Sequence, residues 1–511
     1  MTAAPATTGL ETIDGKRVYS PDGEVLRQYL KDRAHVSIIR GPIGSGTSSA
    51  SCMKIYMLAM EQKPSPLDGK RRSRWAIVRN TYPDLTNTTL KTWLDWFPEA
   101  QYGTLVRTRP MCHMVRIGDI ELDVYFLALD SADDISKLRS LELTGVWFNE
   151  LEWTNKAIFD EAESRTGRYP SMKEGGSNWD GVIADLNAPN EDHWLPQMTG
   201  EAPPADDLTE EELGLLRLPT NWSYFIQPPA LLEIRSPDGR QVVGYKMNPA
   251  CENQRWLKPG YYEEKSRGKK KSWIDSRLRN QIVFVVDGEP VWGSFNQDTH
   301  IAAAPLLPVE GHEVIIGMDF GRRPCALFMQ HINNRIFIQY EVRGYGMGAA
   351  TFAPIFKRFL AEKYPGFEYR IYGDPKGQDK GQGDERTAYE IFATHGITVL
   401  PAPGLANNNI QTRLAAVESA LNEMHNGLPR VNVSPSGCPT FKAAMCGRYH
   451  VRKGANGDPD PVKDKFSDVA DCAQYAFLGL GEGRRATGRA PLGSMKRLNV
   501  APKAKSLRRV S

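Results

Sequence analysis

The chain has 511 residues, 41% of them apolar and 24% charged, with a formal net charge of +3. That is too long for one hydrophobic core, so two or three domains are expected, with the composition of a folded globular protein rather than a disordered or fibrous one. No apolar run is long enough for a membrane-spanning helix, "MTAAPATTGLETIDGKR" lacks an apolar core of signal-peptide length, and the seven cysteines are scattered without a C-x-x-C pair, against a disulfide scaffold or cysteine zinc site.

After an N-terminal arm (1–34), residues 35–230 carry the short apolar runs "HVSIIRG", "RWAIVRNT", "DVYFLALD", "GVWFNE", "GVIADLN" and "SYFIQPP". Several are continuous rather than alternating, as strands buried on both faces of a mainly parallel sheet would be. An α/β nucleotide-binding domain follows from that pattern. The acidic, proline-bearing stretch 200–220 reads as a surface excursion.

Within the first run, "GPIGSGTSS" supplies Gly41, Gly44, Ser45 and Gly46, then Thr47 and Ser48 at a helix start. Gly41 to Gly46 has the spacing of the phosphate loop G-x-x-x-x-G-K-[ST], and Ser48 stands where the magnesium-binding hydroxyl belongs. Such loops aim backbone N–H groups at an anion. The lysine, however, is replaced by Thr47. Arg40, directly before the loop, is the first choice for the missing cation, and Arg79 is a second. Lys54 lies two turns further on, roughly 10 Å along the helix axis, and is expected to point elsewhere. A glycine-rich turn with no ligand is the alternative.

"LTGVWFNELEW" is an apolar strand ending in Asn149 and Glu150. Glu150 suits a carboxylate that orients or deprotonates an attacking water. Asn149 stands where an aspartate usually supports magnesium. Arg165 and Arg168, in "ESRTGRYP", are candidates for an arginine finger, with surface arginines as the alternative. Asp185 and Asn187 end the strand "GVIADLN", where a γ-phosphate could be sensed.

Residues 231–304 read as a connector, with a basic run "SRGKKKSW" at 266–273. A second α/β pattern occupies 305–480. "HEVIIGMDFG" is a strand ending at Asp319. "CALFMQHINNRIFIQYEV" is a hairpin turning at Asn333 and Asn334. "YRIYGDPKG" is a strand ending at Asp374. "ERTAYEIFATHGITVLPAP" is a helix and strand, and "NIQTRLAAVESALNEMHNG" and "DKFSDVADCAQYAFLGL" are helices. Asp468 and Asp471, three apart, share a helix face. Strand-end carboxylates and this pair are the donors that a two-metal phosphodiesterase needs. The glycine-rich loop after Asp374, with Asp379, Asp384 and Glu385, reads as mobile rather than metal-binding, with Lys376, Lys380 and Arg386 able to contact phosphates. From Arg484 to Ser511 there are nine Lys or Arg and no acid, so the tail 481–511 is expected to be disordered and to seek an anion.

In this order, "IIRGPIGSGTSS", "RWAIVRNTYPDLTNTTLKTW", "GVWFNELEW", "SRTGRYP" and "VIADLNAP" resemble the ATPase half of bacteriophage large terminase subunits. "DGEPVWGSFNQDTH" is similar to the stretch between that family's motor and nuclease. The resemblance runs from about 35 to 480 and implies a phosphate-loop ATPase domain of the additional-strand, catalytic-glutamate class, followed by a ribonuclease-H-like nuclease domain. It implies ATP at residues 40–48 and Mg2+ (or Mn2+ at the nuclease) on Asp319, Asp374 and Asp471, with Asp468 as an accessory ligand. It also implies double-stranded viral DNA, a portal protein and a small terminase subunit as partners, a homo-oligomeric ring, no membrane, and the host cytoplasm. The family often moves the loop's positive charge early in the motif, which matches Arg40, while Asn149 departs from its pattern. Two rivals stay open. One is a metal nuclease on a non-hydrolysing nucleotide fold that acts as scaffold. The other is a helicase-like repair enzyme, which needs a second motor core for which the chain has no room.

Overall fold

A computed structural model of the chain describes residues 12–13, 16–129, 132–205, 214–236, 242–284, 288–321, 323–379, 386–403, 409–453 and 459–486. The first residues of the arm, Lys380, Asp384, Glu385 and the tail from residue 487 on lie outside these. The chain divides into two compact units, 1–287 and 288–511. The division falls inside the expected connector, whose earlier part buries Leu231, Tyr262, Ile274 and Leu278 together, with Ile43 of the glycine loop packed against them.

Eight strands form the first unit's sheet: β1 (Val36–Arg40), β2 (Arg71–Arg79), β3 (Gly103–Val106), β4 (Met111–Ile117), β5 (Ile120–Ala128), β6 (Gly145–Asn149), β7 (Gly181–Leu186) and β8 (Trp222–Ile226). Their order is β8-β1-β7-β6-β2-β5-β4-β3. Neighbours from β8 to β5 are parallel, while β4 and β3 add an antiparallel edge. β1, β6 and β7 are buried at every position, which is why their sequences read as unbroken apolar runs.

Alternation along each strand still decides the faces. Trp75, Ile77, Trp147 and Ile183 join the layer holding Ile55 and Leu58 of a helix that follows the loop. Ala76, Val78, Val146, Phe148, Val182 and Ala184 join the layer holding Ile158 and Phe159. These layers are built by α2 (Thr47–Met60) and α3 (Lys156–Glu163), and α1 (Glu24–Lys31) packs Leu26 and Tyr29 beside Ala50 of α2. Truncating a core ring such as Trp147 to alanine would cost about 3–5 kcal/mol. The β3–β4 edge was not expected, because His113 interrupts the apolar pattern of β4. That histidine is inside, accepting from Trp93 Nε1 at 2.9 Å. A hairpin, β9 (Leu231–Arg235) and β10 (Val242–Met247), and a helix, α4 (Lys271–Arg277), complete the unit.

The second unit has a six-stranded sheet: β11 (Val314–Asp319), β12 (Cys325–Ile332), β13 (Arg335–Arg343), β14 (Tyr369–Gly373), β15 (Val399–Pro401) and β16 (Val431–Val433), in the order β15-β14-β11-β12-β13-β16. β11, β12 and β13 are successively antiparallel, and β14 and β15 continue parallel to β11. Asn333 and Asn334 take φ of 48° and 61°, the left-handed pair of a two-residue hairpin turn. On one face α5 (Ala349–Lys363) buries Phe352 and Phe356 against Val314, Ile316 and Phe328. After α6 (Ile410–Leu421), α7 (Lys465–Gly479) covers the other face. A Cβ on Gly317 of β11 would lie 1.8 Å from the carbonyl oxygen of Cys472 on α7, so only glycine permits this approach. Among the described residues no helix is long and apolar enough to cross a membrane.

Candidate nucleotide site and acidic cluster

The loop between β1 and α2 is braced from outside through its carbonyl oxygens. Gly41 O accepts from Asn187 Nδ2 (2.8 Å), Gly44 O from Asn253 Nδ2 (2.8 Å) and Ser45 O from Gln227 Nε2 (3.2 Å). Gly44 and Gly46 take φ of 76° and 86°, which favours glycine and turns the peptide groups of this corner inward. Among the described residues, nothing accepts from the N–H groups of Gly44, Gly46, Thr47 or Ser48. Open donors at a helix start suit an anion.

Behind the loop, β6 and β7 end side by side, with Asn149 opposite Asp185 in the parallel register. Ser48 Oγ donates to Asp185 Oδ2 at 2.8 Å, and Asn149 Nδ2 donates to Ser48 Oγ at 3.1 Å and to Asp185 Oδ2 at 3.0 Å. Asn149 Oδ1 accepts from Arg79 Nη1 (2.7 Å) and Thr89 Oγ1 (2.6 Å). Burial pushes the Asp185 carboxyl up to about 6, against the hydrogen bonds from Ser48, Trp147 and Asn149. Glu150 follows at φ 60° and ψ 60°, a left-handed conformation rare outside glycine. Its carboxylate is held by Arg79 Nη2 at 2.6 Å and stays partly exposed.

Glu152 is buried and drawn up to about 7 by that burial and by Glu150. It pairs with Arg277 (2.7 Å), which also donates to Asn187 Oδ1 (2.8 Å). A cavity of about 580 Å³ opens beside this pair, between Trp153, Trp273 and Lys269.

A nucleotide's divalent cation fits these donors. Ser48 Oγ gives its one proton to Asp185 and accepts one from Asn149, which leaves one of its two lone pairs.

The expected loop cation is placed differently. Arg40 points at Glu201, with Nη1 and Nη2 on its carboxylate at 2.8 and 2.9 Å, and lies by the Tyr224 ring. The physical reason is burial: the Arg40 side chain is 4% exposed, and a charge there needs a fixed partner. Arg79 does reach the site, but it serves Asn149 and Glu150 rather than the loop. Lys54 points away, to Tyr29 O and Ser37 Oγ, as its position in α2 implied. The arginine fingers are not brought to the loop. Arg165 binds Glu161 and the Arg139 carbonyl, and its own carbonyl accepts from Leu143 N just before β6 begins. That is the far end of the strand that finishes at Asn149, about 16 Å away for five residues. Arg168 is exposed at that same end.

In the second unit, Asp319, Asp374, Asp468 and Asp471 are gathered electrostatically. Burial raises Asp319 well above the ordinary carboxylate range, followed by the charges of Asp471, Asp468 and Asp374. Their oxygens suit hard divalent cations, and three of the four acids are engaged by neighbouring groups. Among the described residues no three His, Cys, Asp or Glu side chains are set to hold a metal ion. Basic side chains and backbone occupy them instead. Asp471 accepts from Arg413 Nη2 (3.1 Å) and Lys463 Nζ (2.7 Å), and Asp468 from Arg323 Nε (2.8 Å). Asp374 caps its own turn by accepting from Lys376 N (3.0 Å). A cavity of about 370 Å³ lies beside Asp374, lined by Phe320, Lys376, Asp379 and Arg386.

Sequence reasoning missed Glu201, Arg277, Arg413 and Lys463, and gave Asp185 no part in holding Ser48. Only Asp185 itself had a signal, a carboxylate at a strand end; its contact with Ser48 had none.

No protein-family model matches the chain, and no curated protein matches it. Solved structures of phage large terminases are similar to it. The large terminase of a thermophilic bacteriophage aligns at 13% identity and a TM-score of 0.36, over 90% of this chain and 99% of that one. The nuclease domain of the phage P22 large terminase aligns at 15% identity and a TM-score of 0.30, over 39% of this chain and 98% of its own. The ATPase domain of the Thermus phage P74-26 large terminase aligns at 14% identity and a TM-score of 0.32, over 52% and 95%.

Proposed function

We propose that the chain is a viral DNA-packaging motor subunit of the large-terminase type, which hydrolyses ATP to move double-stranded DNA and cuts that DNA with its second unit. The carrying observation is the set of unmatched N–H groups of Gly44, Gly46, Thr47 and Ser48, backed at the strand ends by Ser48, Asp185, Asn149, Arg79 and Glu150.

In this reading the loop N–H groups bind the β- and γ-phosphates of ATP. Glu150, set by its left-handed backbone and by Arg79, orients and deprotonates the attacking water. Asn187 links the loop to Arg277 and Glu152, so that α4 senses the state of the loop. Mg2+, when bound at Ser48, supplies neutralising charge to the phosphates. Duplex DNA is gripped through its backbone, which makes the grip salt-sensitive and largely independent of sequence. The antiparallel β11–β12–β13 with parallel β14 and β15 is read as a ribonuclease-H-like sheet, and its four acids as the cleavage centre. Partners are a portal protein, a small terminase subunit and further copies of this chain in a ring, in the host cytoplasm.

The test is DNA-stimulated ATP turnover and divalent-ion-dependent DNA cleavage by the same purified chain. Glu150→Gln should abolish turnover, and Asp319→Ala should keep turnover and lose cleavage. The engagement of Arg40 by Glu201 favours the second reading, a non-hydrolysing nucleotide fold that supports a nuclease. Absence of wild-type turnover with DNA and packaging partners present would decide for it.

A further inference from the structure

The strand pair at the back of the loop contains one charge where two positions compete for it. Asn149 and Asp185 are opposite each other and 5% and 2% exposed. The amide's orientation is not free. Its Oδ1 faces two donors, Arg79 and Thr89, so its Nδ2 must face acceptors, and the acceptors present are Ser48 Oγ and Asp185 Oδ2. An aspartate at 149 would set two buried carboxylates about as close as this 3.0 Å contact, and like charges that near cannot both ionise. With Asp185 in place, the amide at 149 avoids that repulsion and gives Asp185 a donor instead.

The hydroxyl that the loop offers to a cation confirms which strand carries the charge: Ser48 Oγ donates to Asp185, not to residue 149. Trp147 Nε1 donates to the other oxygen of Asp185, so both carboxylate oxygens are oriented from fixed elements. We infer that Asp185, at the end of β7, is the carboxylate that positions Ser48 and supports the nucleotide's divalent cation, a duty displaced by one strand from the end of β6. The apparent defect at Asn149 is then the neutral half of an exchange, and the site's charge is conserved. This rests on the nucleotide-binding reading of the loop.

The experiment uses the full chain and a fluorescent ADP analogue, with affinity measured in EDTA and across a Mn2+ titration. The ratio of the two affinities reports cation coupling, and Mn2+ paramagnetic resonance reads the bound ion directly. Asp185→Asn should lower the coupling by about 10–100-fold, the usual effect of removing a partner that orients a metal-binding group. The double exchange Asp185→Asn with Asn149→Asp should recover most of it. Coupling that survives Asp185→Asn, or that the double exchange fails to restore, would overturn the assignment. If Asp185→Asn does not fold, the double exchange decides alone: retained coupling supports the exchange and lost coupling overturns it. A wild-type chain that binds no nucleotide, with or without Mn2+, would sink the loop reading itself, a different result from a bound nucleotide indifferent to residue 185.

Discussion

The loop end of the first unit and the acidic cluster of the second keep buried charge in opposite ways. Around the loop each ionised side chain has a fixed counterpart: Arg40 has Glu201, Arg79 has Glu150, and Asp185 has Ser48, Asn149 and Trp147. What is left unmatched there is backbone N–H of the loop, together with Ser45 Oγ and the Nε atoms of Arg40 and Arg79. Around Asp319 four carboxylates converge and are restrained by Arg323, Arg413 and Lys463, the last 59% exposed. In one region backbone donors are left open, while in the other basic side chains hold the carboxylates. Charge in such sites is legible only in pairs: Arg40 looks like a cation for the loop until Glu201 is counted with it.

The largest effect should come from the loop region. Glu150→Gln keeps the shape and the contact with Arg79 but removes the base, so turnover should fall about 10²–10⁴-fold in a steady-state assay. Turnover within a few-fold of wild type would detach Glu150 from the chemistry. Next is the pair that holds Arg40. Glu201→Ala strands a buried guanidinium and should cost about 3–5 kcal/mol in denaturant unfolding. If nucleotide affinity rises in that variant, Arg40 is a reserve cation released to the loop, and the contrast between the two regions narrows.

A pH experiment sharpens the same contrast. Burial lowers Lys54 from its ordinary 10.5 to about 7. Below pH 7 the folded chain holds this charge at full cost. Between about 7 and 10.5 the unfolded chain binds the extra proton, so folded stability relative to Lys54→Met should rise with pH, by at most about 1.4 kcal/mol per unit. Parallel stability curves for the two proteins from pH 7 to 9 would contradict the shift. The smallest effect belongs to the cluster. Lys463→Ala removes an exposed partner of Asp471 and should change stability by less than about 1 kcal/mol, with salt erasing the difference. A larger, salt-resistant loss would make Lys463 a structural partner, and the cluster would resemble the loop region after all.

The sheets were largely legible because burial on both faces leaves continuous apolar runs. "VSIIR", "GVWFN" and "GVIADL" became β1, β6 and β7. The β3–β4 edge was not, since the half-exposed "MCHMVRI" carries a histidine at an inward position. The loop and Glu150 were legible from spacing. The partner of Arg40 was not, because Glu201 lies 161 residues away in a stretch whose acids and prolines read as surface. Nor was the Ser48–Asp185 contact, which depends on β7 inserting between β1 and β6, an order that no local pattern encodes. The cluster's four acids were found one by one, but Lys463 and Arg413 reach them from outside the motifs.

The most direct measurement is a crystal structure of the chain with ADP and Mg2+. The account predicts phosphate oxygens on the N–H groups of Gly44, Gly46, Thr47 and Ser48, the ion at Ser48 Oγ, and Asp185 behind that hydroxyl with Arg40 still on Glu201. A nucleotide bound elsewhere, or a loop that stays closed to phosphate at saturating nucleotide, would contradict it.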